Sequence, residues 1–204
     1  MVTGPDAASE FADALAKEIA HNYRAGRVIV GVDGVEGTRG FADELGAAYR
    51  RAGSTVVRAS MDDFQRPRAA RELRGADSGE GYYFDRYDVS TLSRVLIEPF
   101  RMGGSTGFQL ASFDAARDAP RESAWLTAPA DAVLILDGPF LQRPGLRGTL
   151  NFTAYLETRR FGLPAAVLGA DDLYQAEAGP RFGASAIIDV NAPEHPRRVF
   201  SDSC

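Results

Sequence analysis

The sequence predicts an α/β fold organised on a parallel sheet, and three observations point to it. Residues 28–32, VIVGV, form a continuous run rich in β-branched side chains, which suits a central strand covered on both faces. Further apolar runs at 55–60, 132–137, 153–157 and 186–189 are separated by segments with helical spacing or by turns. Residues 27–45, RVIVGVDGVEGTRGFADEL, read as a buried strand, a glycine-rich turn and a helix. That order aims backbone N–H groups and the positive end of a helix at one spot, as a phosphate cradle requires.

At 204 residues the chain is expected to form one domain over 1–204, with 45% hydrophobic and 25% charged residues as in ordinary globular proteins. A net charge of −5, spread along the chain, argues against nucleic acid or a membrane surface as partner. No apolar run reaches the roughly 18 residues of a membrane span. The start, MVTGPDAASE, lacks the basic and apolar regions of a signal peptide. The sole cysteine, Cys204, rules out a disulfide framework and a cysteine-rich metal site within one chain, so a cytoplasmic setting is expected. Of 23 basic residues only Lys17 is lysine, and it lies upstream of the glycine turn. Any cationic contact to a phosphate must therefore come from arginine, a bulkier bidentate partner.

Taken in order, 6–23 place Phe11, Leu15, Ile19 and Ala20 on one face of a lead-in helix, with His21 at its end in a structural position. After the first strand and the glycine turn, a helix is expected from about Phe41 to Ala52, stopped by Gly53. Strand 55–60 delivers Met61-Asp62-Asp63-Phe64 to its carboxyl end, the edge where open α/β sheets bind ligands. The two acids suit either a general base or magnesium partner, or simply a turn and a cap. Residues 65–90 are irregular and carry arginines with Tyr82, Tyr83 and Tyr87, which either clasp a ligand or pack on the core. A helix from Asp88 is expected to end at Pro99, followed by a short strand at 108–113. Asp137 ends the most apolar strand as a magnesium partner or a cap. A short helical piece lies around 164–168, and the residues after 189 read as a tail. His195 has no catalytic constellation around it, and no metal-ligand pattern or internal repeat is present.

Together, GVDGVEG, FADEL, ASMDDFQRPR, GYYFDRYD, FDAARDAP, LILDGPFLQRPGLR and DLYQAEAGPRFGASAIIDVNAP resemble the uridine kinase branch of the P-loop kinases, across nearly the whole chain from Arg27. The resemblance implies a three-layer αβα fold with a five-stranded parallel sheet, and ATP- and magnesium-dependent phosphoryl transfer to a nucleoside 5′-hydroxyl. By that resemblance Asp62 matches the catalytic aspartate, with Asp63 and Phe64 beside it. Arg68, Tyr82, Tyr83 and Asp85 fall in the nucleoside-binding segment, Arg117 at a substrate contact, and Arg159 and Arg160 at the start of the phosphate-clamping lid.

Three departures from the family pattern redirect the expectation. A phosphate loop is written G-x-x-x-x-G-K-[ST]. Here Gly34, Gly37, Thr38, Arg39 and Gly40 form a remnant about two residues short, without the lysine and the magnesium-holding hydroxyl. The lid region around 158–173 is shortened, and Ala115 and Ala116 stand where polar or ring residues are common in the family. The expected function is thus binding or acid–base conversion of a small molecule in the former acceptor cleft, by isomerisation, cyclisation or elimination, with a biosynthetic pathway as its expected setting. In it Asp62 is the acid or base, and Arg39, Arg68 or Arg117 holds an oxygen. No cofactor and no metal are then required, and a homo-oligomer is compatible with the sequence. A nucleoside kinase using ATP and Mg2+ and a non-catalytic scaffold are the alternatives.

Overall fold

In the computed structural model, which describes residues 6–200, strand β1 (Val28–Asp33) is buried along its whole length, and its alternation decides the layers. Val28, Val30 and Val32 pack with helices α1 (Ala7–Asn22) and α2 (Thr38–Arg51) on one face of the sheet. Ile29 faces the opposite core, built around Phe140, Tyr83, Tyr87, Phe100 and Tyr174. The period of two along a strand thus separates two cores, and helices cover both. Cys204 lies outside the described residues.

The remaining strands are β2 (Val56–Ser60), a small hairpin of β3 (Phe113–Asp114) and β4 (Ala119–Pro120), β5 (Val133–Gly138), β6 (Phe152–Glu157), β7 (Ala186–Asp189) and β8 (Arg197–Val199). The main sheet has the order β2-β5-β1-β6-β7-β8. Its first five strands are parallel, whereas β8 runs antiparallel to β7. The sheet therefore has six strands rather than the expected five. Ion pairs recruit the tail residues: Arg197 meets Asp189 at 2.7 Å, and Arg198 meets Glu18 at 2.7 Å.

Several boundaries differ from expectation for local reasons. Helix α2 begins at Thr38, not Phe41, because Gly37 takes a left-handed conformation (φ 76°) and turns the chain directly into the helix. Pro99 does not end its helix. The chain runs α4 (Val89–Leu92), a π turn (Ser93–Ile97) and α5 (Glu98–Met102), and the widened turn accommodates the proline's missing N–H. Of the expected strand 108–113 only Phe113 is in a strand, at the start of β3, while Phe108 makes an isolated bridge to Leu126. The segment 65–90 contains helix α3 (Arg68–Arg71) and a π turn (Gly81–Asp85). The piece around 164–168 is the start of α6 (Ala165–Ala178), which α7 (Pro180–Gly183) follows. Among the described residues no helix is long and apolar enough to cross a membrane.

Candidate functional site

The carboxyl ends of β1, β2 and β5 meet at one edge of the sheet. β1 ends in Asp33 and α2 starts at Thr38, so residues 34–37 alone make the connection. Gly34 is tied across the sheet by its N–H to the carbonyl of Gly138 at 3.4 Å. Thr38 is buried, while Arg39 on the first turn of α2 is exposed.

Asp33 itself is wholly buried. Its Oδ2 accepts hydrogen bonds from the Tyr174 hydroxyl at 2.5 Å and Gln142 Nε2 at 2.9 Å, and its Oδ1 accepts the Leu141 N–H at 3.1 Å. Burial pushes this carboxyl up to about 6, against the downward pull of those three hydrogen bonds; Asp171 adds to the rise. The Tyr174 phenol is driven far above its ordinary value, first by burial and then by the Asp33 charge. This network joins β1, the loop after β5 and α6 beneath the glycine turn.

The 3-10 turn Met61–Phe64 follows β2 and carries Asp62 to the open side. Ser60 caps it, its hydroxyl accepting the Asp62 N–H at 3.4 Å. Asp62 Oδ1 accepts from Gln65 Nε2 at 3.2 Å and the Tyr87 hydroxyl at 3.3 Å. Its Oδ2 faces Arg39 Nη2 at 3.8 Å, with both side chains more than half exposed. Such a pair adds about 0–1 kcal/mol to stability. Its interest is chemical, because an accessible carboxylate and a guanidinium confront each other across the edge of the cleft. Asp63 meets Arg121 at 3.0 Å; burial raises its carboxyl, and Arg121 and Arg39 counter the rise.

Asp137 is buried between partners. Arg58 Nη2 bonds its Oδ1 at 2.9 Å and the Ser60 hydroxyl bonds its Oδ2 at 3.2 Å, so it clamps β2 to β5.

The structure distributes the residues singled out from the sequence unevenly. Asp62 and Arg39 come together, with Asp63 adjacent. Arg68 and Tyr82 line a separate small cavity of 170 Å³. Phe64 and Tyr83 lie in the core, and the Tyr83 hydroxyl donates to Glu177. Asp85 is buried against Arg74. Arg117 sits on the exposed turn of the β3–β4 hairpin, 3.6 Å from Asp114, while Arg121, just after β4, is the arginine that reaches Asp63. Arg160 is paired with Asp171 at 3.3 Å and Asp172 at 2.6 Å, anchoring the short connection after β6 to α6. Arg159, Gly37 and Gly40 line a larger cleft of 620 Å³, together with Glu36, Phe41 and Asn191. Sequence reasoning misses Asp33, Gln142 and Tyr174, whose signal is a single acid at the carboxyl end of the central strand. It also misses Gln65, Arg71 and Arg86, which sit among the arginines of an apparently irregular segment.

Comparison with known proteins adds fold-level evidence. No protein-family model and no curated relative matches the chain. Among solved structures, one described as a possible uridine kinase from Bacillus stearothermophilus superposes with a TM-score of 0.76 at 26% identity, covering 87% of this chain and 97% of that one. A D-glycerate 3-kinase from Cryptococcus neoformans var. grubii superposes at 0.58 with 9% identity, over 96% of this chain and 100% of its own. Phosphoribulokinase from Rhodobacter spheroides does so at 0.53 with 13% identity, over 81% and 70%. The last two bear on the fold alone.

Proposed function

We propose, for a chain that has the P-loop kinase fold, that it binds and converts a small molecule by acid–base chemistry at Asp62 without phosphoryl transfer from ATP. The observation that carries this reading is the Asp62–Arg39 pair at 3.8 Å. The arginine nearest the glycine turn faces the candidate base, and no lysine follows Lys17 in the chain. In this role Asp62 takes a proton from the ligand and returns it at a second position. Gln65 and Tyr87 fix the carboxylate, and Arg39 holds a neighbouring oxygen as charge develops.

The residues present do not fit Mg-ATP. The loop remnant is about two residues short of the motif and has no Lys-Ser or Lys-Thr pair where its helix opens, so it offers less to wrap and neutralise a phosphate. Asp137, the second acid at the sheet edge, has an oxygen on Arg58 and the other on Ser60. Phosphoryl transfer rests on positioning and charge neutralisation. Losing one such donor costs about 3 kcal/mol, or roughly a hundredfold in rate.

The 620 Å³ cleft beside Gly37, Gly40 and Arg159 favours a second reading, a kinase for a nucleoside or related alcohol, because it offers room at the start of α2. Calorimetry with Mg-ATP separates the two. The acid–base reading expects no specific heat up to millimolar nucleotide; micromolar binding with magnesium-dependent ADP release overturns it in favour of the kinase. For ligands found by thermal-shift screening, Asp62→Asn is expected to lower turnover at least a hundredfold while binding persists. Unchanged turnover in that variant removes Asp62 from the chemistry.

A further inference from the structure

Next to Asp62 the molecule holds a second feature, the cavity of 170 Å³ lined by Arg68, Arg71, Glu72, Tyr82, Arg86 and Ala115. A water molecule occupies about 30 Å³ of liquid volume, so the space suits a group of several heavy atoms. Three arginines and one acid, Glu72, are among its lining residues. Arg71 is partly neutralised: its Nη1 donates to Gln65 Oε1 at 3.0 Å, and its Nη2 lies 3.7 Å from Asp118. Asp118 also accepts the backbone N–H of Arg68 at 2.7 Å. Arg86 differs, since no carboxylate of the described residues lies within salt-bridge distance of it. Its guanidinium carbon stands 4.4 Å from the centroid of the Tyr82 ring and 5.8 Å from that of Tyr87. The Nε–H groups of both Arg71 and Arg86 are buried without a hydrogen-bond acceptor.

Buried donors without acceptors are costly, and these two Nε–H groups call for an acceptor. The tyrosines and the Asp62 charge support the Arg86 cation, yet its Nε–H stays without an acceptor. The cavity also communicates with the candidate base, since Gln65 accepts from Arg71 and donates to Asp62 at 3.2 Å. From these contacts we infer that the Arg68–Arg71–Arg86 cavity is an oxyanion subsite, which receives the phosphate or carboxylate end of the small molecule acted on at Asp62. The inference rests on the proposed function for what happens at Asp62, but the anion-binding property stands apart from it. The subsite makes the substrate class anionic rather than neutral, because a carboxylate or phosphate presents the oxygens that the unpartnered Nε–H groups of Arg71 and Arg86 call for.

The test uses the full chain and NMR detection of arginine Nε–H resonances during titration with inorganic phosphate and, separately, acetate. The Arg71 and Arg86 resonances are expected to shift saturably in the millimolar range. Saturation by phosphate alone assigns a phosphate end group, and saturation by acetate as well admits carboxylates. Arg86→Gln is expected to weaken binding at least tenfold. Arg86→Lys, which keeps the charge between the tyrosines but loses the fork, also weakens it. Exposed Arg101→Gln binds as the unmodified protein does. The absence of saturable shifts in the unmodified protein, or unchanged affinity in a folded Arg86→Gln variant, overturns the subsite. Asp62→Asn is expected to retain anion binding, so a failure of the acid–base reading leaves this result standing.

Discussion

Asp33 occupies a place where a carboxylate is expensive, wholly buried and one residue before the glycine turn. With its folded value raised from 3.8 to about 6, the native state holds a proton more tightly than the unfolded chain does. The stability tied to this group is therefore fully present below about pH 4 and is lost as pH rises through about 6, by an amount of about 1–3 kcal/mol. Asp33→Asn is expected to flatten that portion of the profile, so urea unfolding at pH 4.5 and 7 should show a smaller difference in the variant than in the parent. Equal differences would remove Asp33 as the source. Nothing near Asp33 in the chain marks this role, because Gln142 and Tyr174 lie 109 and 141 residues away. Asp62 is legible by contrast, since a strand followed by two acids already places it on the ligand-binding edge. Arg39 is legible as the cation at the turn, but its partner is not.

At the scale of elements, the site depends on how closely the end of β5 approaches the 3-10 turn that carries Asp62. Gly138 permits this with a φ of 139°, and a Cβ built there would stand 2.6 Å from Met61 Cβ. Gly138→Ala is expected to destabilise the fold by about 2–3 kcal/mol through backbone strain and displacement of that turn. Urea unfolding checks it, and an unchanged midpoint would show that the contact yields without cost. A second close approach joins the segment before the π turn to α6, where a Cβ at Gly79 would meet the Gly169 backbone at 2.6 Å. Each joins residues distant in the chain, Gly138 to Met61 and Gly79 to Gly169. From sequence, the GYYFDRYD stretch leaves its tyrosines either clasping a ligand or packed inside. The fold divides them, sending Tyr83 into the core and Tyr82 to the wall of the anion cavity.

Across the main sheet, burial is deepest at β1 and β5, which lie between other strands, and shallowest at β8. Amide hydrogen exchange is expected to be slowest in β1 and β5, with β8 and the preceding 190–196 segment opening first. Protection of β8 equal to that of β1 would mean that the edge strand unfolds only with the whole sheet. The sequence alone determined the α/β class, the apolar runs that become the parallel strands and the glycine turn, because such runs and glycines constrain the backbone locally whatever surrounds them; the count of five parallel strands came from the family resemblance. The added antiparallel strand was not legible, since three residues paired through Arg197 and Arg198 to acids elsewhere carry no local periodicity. Tertiary structure alone decided which charged groups meet. It set Arg39 against Asp62, closed Arg58 on Asp137 and left Arg86 among tyrosines without a carboxylate. Charge pairing acts over a few ångströms in space, and distance along the chain says little about it.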